Sequence, residues 1–133
     1  MKLKHLKPKK EFKYKNPDLS VLDTFPNPGV KQVRLECTEF SSLCPVTGQP
    51  DWGTVGIEYI PDKKCIESKS LKLYLGMYRQ FGGFAEKITQ KIWEDLSTVL
   101  GPNIYYLEVV TQFSPRGGIS IVARKTGGTL VEQ

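Results

Sequence analysis

The chain has 133 residues, 39% of them hydrophobic and 25% charged, with a formal net charge of +5. That is the composition of an ordinary globular domain, and the length suffices for one hydrophobic core without disulfide support. No apolar run approaches the roughly 18 residues that cross a bilayer, and no apolar stretch follows the N-terminal lysines as a secretory signal requires, so the expectation is a cytoplasmic protein without a membrane partner.

The charge is unevenly placed. Residues 1–15 hold seven lysines against one glutamate, leaving 12 basic and 13 acidic side chains in the rest of the chain. The basic character therefore belongs to an arm, which reads as a solvated tail or as a contact for nucleic acid or another polyanion. Three cysteines (Cys37, Cys44 and Cys65) are an odd number, which favours free thiols in a reducing compartment. The single histidine, His5, lies in the arm. With no CxxC pair and no histidine beyond it, neither a zinc site nor a hydrolase built on a histidine base is expected.

Taken in order, Asn16-Pro17-Asp18 signals a turn, and Phe25-Pro26-Asn27-Pro28-Gly29 is a stiff connector unsuited to helix or central strand. Val30–Cys37 alternates imperfectly and predicts a first strand. Thr38–Asp51, with Pro45, Gly48 and Pro50, reads as a long loop of the kind that often carries function. Trp52–Ile60 alternates well, with Val55, Ile57 and Tyr59 on one face, and predicts a second strand. Ser68–Gln80 has helical spacing with Ser68 as N-cap, and Phe81-Gly82-Gly83 interrupts it. Phe84–Leu100 resumes as a helix with an apolar stripe, ended by Gly101-Pro102. Ile104–Phe113 and Ile119–Ala123 predict a closing hairpin around Ser114–Gly118, followed by a frayed tail. The order ββααββ predicts an α+β fold, an antiparallel sheet with two helices on one face. The expected organisation is an arm over residues 1–20, one domain over 21–124 and a tail over 125–133.

Several residues invite chemistry. Cys44 sits among turn residues with Asp51 seven positions on. A thiolate can act as nucleophile, and a carboxylate in reach can take and return its proton, although such a pair also arises by chance. Lys69 and Lys72, three apart beside Ser68 and Ser70, would share one face of a helix start. Cations and free backbone N–H groups there suit a phosphate; a solvated charged face is the plainer alternative. Arg116, in a glycine-rich turn, can add a phosphate contact or be an ordinary turn residue. Glu86, in a first helical turn, offers two acceptors to the N–H edge of a guanine-like base, or merely a favourable charge for the helix. Neither GxGxxG nor GxxxxGK[ST] occurs, so no Rossmann or P-loop site is indicated.

Four segments give these residues a common context: FSSLCPVTGQPDW at 40–52, ESKSLKLYL at 67–75, Gly83-Phe84-Ala85-Glu86, and FSPRGGISI at 113–121. Over about Leu22 to Val122 the chain resembles the NADPH-dependent 7-cyano-7-deazaguanine reductases of queuosine biosynthesis, nitrile reductases of the tunnelling fold related to GTP cyclohydrolase. The resemblance implies that Cys44 attacks the nitrile carbon to form a thioimide and that Asp51 moves the protons. Two NADPH would take the nitrile to the amine. It also implies a substrate site at Glu86, Glu67, Ser68 and Phe84, and a cofactor site at Ser68, Lys69, Ser70, Lys72 and Arg116, with no metal. The partners implied are the small-molecule base and further copies of the chain, assembled edge to edge into a barrel with active sites between subunits. One departure stands out: Ala85-Glu86 and Gln80-Phe81 replace the usual His-Glu and Asn-His, which removes a possible substrate contact or proton donor. It leaves room for a related transferase that adds ammonia to the nitrile of a base already in tRNA, without NADPH, or for a non-catalytic binding module of the same fold.

Overall fold

The computed structural model describes residues 16–102 and 104–128. The lysine-rich arm at 1–15 lies outside the described residues. Within the described residues, Pro17 is buried, and Asp18 caps a 3-10 turn at Leu19–Val21 by accepting from the Ser20 N–H at 2.9 Å.

Two sheets form. Strand β1 (Thr24–Pro26) pairs with β4 (Lys64–Ile66) in a short antiparallel ladder. The main sheet has the order β2-β3-β5-β6, all antiparallel, from β2 (Val33–Leu43), β3 (Pro50–Pro61), β5 (Ile104–Arg116) and β6 (Ile119–Gly127). Helices α1 (Ser68–Gly76, tightening into a 3-10 turn at Met77–Gln80) and α2 (Ala85–Leu100) pack on the sheet. The predicted ββααββ order and α+β class hold, with the small ladder added.

Three local expectations are corrected. Thr38–Leu43 is strand, not loop, and β3 already begins at Pro50. The register shifts between Cys37 and Phe40, so β2 spends one residue more than β3 there. That bulge reverses the alternation: Cys37 pairs with Val55 and Phe40 with Gly53, so core-facing positions pass from odd to even numbers. A search for strict alternation loses the strand at that point. The second correction is the N-cap of α1. Glu67, not Ser68, accepts from the N–H groups of Lys69 (2.8 Å) and Ser70 (2.7 Å). The third is the tail, which is strand as far as Gly127 because Trp93 lies against it. The indole Nε1–H donates to the Leu107 carbonyl at 2.9 Å, Lys125 Nζ stands 5.0 Å from the ring, and Gly127 leaves room for the indole edge.

The core lies between sheet and helices. Val55, Ile57, Tyr59, Leu107 and Val109 from the strands meet Leu71, Tyr74, Leu75, Ile88, Ile92 and Leu96 from the helices. The apolar stripe of α2 is the one that the 3.6-residue period predicts. Two polar clusters inside are paired. Tyr74 donates to Asp95 Oδ2 at 2.5 Å and shares a 2.8 Å bond with Tyr78, and Thr89 and Thr111 join across α2 and β5 at 2.7 Å. Burial pushes the Tyr59 phenol up to about 12, so it stays protonated and accepts from the Ile66 N–H at 2.8 Å.

Candidate active site

The β2–β3 connection is the six-residue turn Cys44–Gln49. The Cys44 N–H donates to the Gln49 carbonyl at 2.8 Å, and the Gly48 N–H donates back to the Cys44 carbonyl at 2.9 Å. Gly48 has φ +70°, a left-handed conformation that suits glycine. The half-buried thiol sits at the mouth of this turn. The Thr47 side chain, then the backbone N–H groups of Thr47 and Val46, hold the Cys44 thiol below its ordinary range, against desolvation and the Asp51 carboxylate. Thr47 was not singled out from sequence. A hydroxyl three residues past a turn cysteine is the signal that could have found it.

Asp51 stands directly across the ladder from Ser42, two residues before Cys44, so thiol and carboxylate come together at one end of the hairpin. The interruption between the helices supplies the third wall. The Leu43 N–H donates to the Phe81 carbonyl at 2.9 Å and the Gly83 N–H to the Leu43 carbonyl at 3.2 Å, a parallel bridge of Leu43 with Gly82. This bridge ties the start of α2 to the residue preceding the thiol. Phe84 and Ala85 therefore face Cys44 and Asp51 across a cleft of about 300 Å³ that Arg116 also lines.

Arg116 is not a free cation. Its Nη2 is 2.9 Å from Asp51 Oδ1, it donates to the Pro50 carbonyl, and its Nη1 lies 3.5 Å from Gln49 Oε1. The guanidinium thus clamps the first residues of β3 as well as the carboxylate. Of the residues singled out from sequence, Cys44, Asp51, Phe84 and Arg116 share this cleft. Glu86 is exposed one residue inside α2 and does not line it.

The α1 residues gather elsewhere. Ser68 and Lys72 line a groove of about 250 Å³ between α1 and β2, with Arg79, a cation overlooked in the sequence. Positions 68, 72, 75 and 79 recur at helical spacing, which puts both cations along one wall. Lys69 is exposed beside the groove rather than in its lining. The free N–H groups expected at this helix start are occupied by Glu67. The backbone N–H of Lys69, then that of Ser70, hold the Glu67 carboxyl below its ordinary range. Ser70 is buried, its Oγ accepting from the Asp23 N–H at 2.9 Å and donating to the Glu67 carbonyl at 2.8 Å. Groove and cleft have no lining residue in common within one chain. Among the described residues no helix is long and apolar enough to cross a membrane.

The sequence pattern of the QueF-like protein family matches residues 50–129. The NADPH-dependent 7-cyano-7-deazaguanine reductase of Streptococcus mutans is 52% identical over 107 residues, which are 78% of this chain and 65% of that protein. The protein of the same name from Bacillus subtilis is 52% identical over 104 residues, 76% of this chain and 62% of that protein. The chain thus spans less than two thirds of the length of these relatives. Among solved structures, the apo form of the archaeosine synthase QueF-Like superposes with a TM-score of 0.69 at 21% identity, covering 78% of this chain and 99% of that one, a likeness of fold. The architecture is that of the tunnelling fold, and the chain belongs to the QueF-like protein family.

Proposed function

We propose that this chain reduces 7-cyano-7-deazaguanine to 7-aminomethyl-7-deazaguanine with NADPH, in the biosynthesis of queuosine. One observation carries the reading: the acidified Cys44 thiol and Asp51 open on a single cleft. The names and identities of the relatives support it.

The thiolate of Cys44 adds to the nitrile carbon, and Asp51 passes a proton to the nitrogen, giving a thioimide. Asp51 returns protons to nitrogen as the carbon is reduced, and the Cys44 sulfur leaves when the imine forms. When bound, NADPH supplies hydride, and two equivalents bring the carbon to the amine level. Phe84 offers its ring as an apolar wall for the deazaguanine, while Glu86, with Glu67 and Ser68, is available to its N–H edge. The groove at α1 fits the cofactor's phosphates. Lys72 supplies a point charge and Arg79 a planar fork along one wall, with Lys69 at the rim. Arg116, paired with Asp51, sets the resting position of the carboxylate.

Because cleft and groove are separate in one chain, the reading includes a homo-oligomer in which neighbouring copies complete each site. The exposed apolar side chains of Phe84, Ile119 and Ile121 around the cleft support that arrangement. The test is to mix the protein with the free cyano-deazaguanine base and NADPH. Reduced-nicotinamide absorbance should fall, and a thioimide mass adduct should form that vanishes in Cys44→Ala. An adduct without nicotinamide oxidation would refute the reductase and favour a transferase acting on the same nitrile.

A further inference from the structure

Ser42 is 1% exposed, and among the described residues its Oγ is the one buried side-chain polar atom without a hydrogen-bond partner. An unpaired buried hydroxyl costs a fold about 1–3 kcal/mol, and few are found in native chains. The location of Ser42 gives a reason for keeping it. It is the direct ladder partner of Asp51. Opposed residues of an antiparallel pair project to one face with their Cβ atoms about 4.5–5.5 Å apart. Across that span a serine hydroxyl and an aspartate carboxylate meet by side-chain rotation alone, with the backbone at rest.

Asp51 lies between two potential donors of opposite character. On the solvent side is the half-exposed Arg116 guanidinium, which occupies Oδ1; on the buried side is the unpaired Ser42 hydroxyl. We propose that Ser42 is the positioning residue of Asp51, its Oγ–H donating to the carboxylate when the carboxylate turns from Arg116 toward Cys44. The hydroxyl then fixes the proton carrier beside the nucleophile from the side that water does not reach. The charged groups facing Asp51 are Arg116 from β5 and the Cys44 thiolate from the turn, while α2 contributes the uncharged Phe84 and Ala85. The inference rests on reading Cys44 and Asp51 as the reactive pair.

The test compares wild type, Ser42→Ala, Asp51→Asn and the double variant. Alkylation of Cys44 by iodoacetamide is followed by peptide mass as a function of pH, beside a thermal melt of each protein. Ser42→Ala should melt at or above the wild-type temperature, since it removes an unpaired hydroxyl and leaves none behind. Without that donor the carboxylate stays with Arg116, and its raising influence on the Cys44 thiol weakens. Cys44 should then titrate about half a pH unit lower and react with iodoacetamide roughly threefold faster at neutral pH, but only while Asp51 is present. Addition of the cyano-deazaguanine nitrile should slow by about tenfold. A lower melting temperature would make Ser42 a structural residue and overturn the proposal. So would unchanged alkylation, or the same acceleration in the Asp51→Asn background. Failure of the wild-type protein to form the nitrile adduct would overturn the functional reading alone, because alkylation involves no nitrile.

Discussion

Replacing Gly53 with alanine tests the packing that carries Asp51. Gly53 is the ladder partner of both Phe40 and Phe113, whose rings meet edge-on at 6.1 Å between centroids. A Cβ added at Gly53 would lie 2.3 Å from the Gln112 carbonyl oxygen and 3.1 Å from Phe113 Cα, both main-chain atoms that cannot rotate away. Strand β3 would have to separate from β5 two residues from Asp51. Overpacking costs about 1–3 kcal/mol, a disturbed ladder bond about 1, and the ring pair about another 1, giving roughly 3–5 kcal/mol in all. For a domain of this size that lowers the melting temperature by roughly 10–15 °C. Gly56 provides the control: on the same strand, its added Cβ meets nothing nearer than the Val110 oxygen at 4.0 Å. Gly56→Ala should be neutral or gain about 0.5–1 kcal/mol from reduced chain entropy. Both variants are melted by circular dichroism, and Gly53→Ala should also lose Cys44-dependent activity as the Asp51–Arg116 pair is displaced. Melting of Gly53→Ala within a few degrees of Gly56→Ala would refute the reasoning.

Thr47→Val removes the group that contributes most to lowering the Cys44 thiol. The pH midpoint of its alkylation should therefore rise, whereas Asp51→Asn removes a raising influence and should lower it. Lys72→Glu should raise the KM for NADPH by about tenfold or more while leaving Cys44 alkylation unchanged, which steady-state and labelling assays separate. Ala85→His puts an imidazole on the cleft wall facing Cys44 and Asp51. Turnover followed at the nicotinamide band should rise by up to about tenfold, with a new limb in the pH profile near the histidine range. Trp93→Leu removes the bond to the Leu107 carbonyl and the ring over Gly127. Amide exchange should accelerate at 124–127 and stay slow at 107–111, where β5 remains paired on both sides.

Much of the architecture is legible in local sequence. The alternation of Val55, Ile57 and Tyr59 and the α2 stripe from Ile88 to Leu100 each follow one period, and both elements form where that period places them. What escaped depends on partners distant in the chain. The bulge after Cys37 is defined only against Val55 and Gly53 of β3. The three-residue ladder of β1 with β4 is too short to leave a pattern. The persistence of β6 depends on Trp93, more than thirty residues upstream of Gly127. At the candidate site, Cys44 and Asp51 could be singled out because both sit in one short segment. The Arg116–Asp51 ion pair could not, since it follows from the register of β3 and β5. The cap at Glu67 was missed for a different reason: a serine and a glutamate compete for adjacent positions, and only backbone geometry decides between them.

The two main-chain bonds joining Leu43 to Phe81 and Gly83 bear on what evolution can alter here. They set the number of residues allowed between the last turn after α1 and the first turn of α2, and they do so through backbone groups alone. Substitutions in this link change the chemistry offered to the thiol. An insertion or deletion would instead shift α2 along the sheet and carry Phe84 and Glu86 out of step with Cys44. The link therefore acts as a length gauge for the path from α1 to α2.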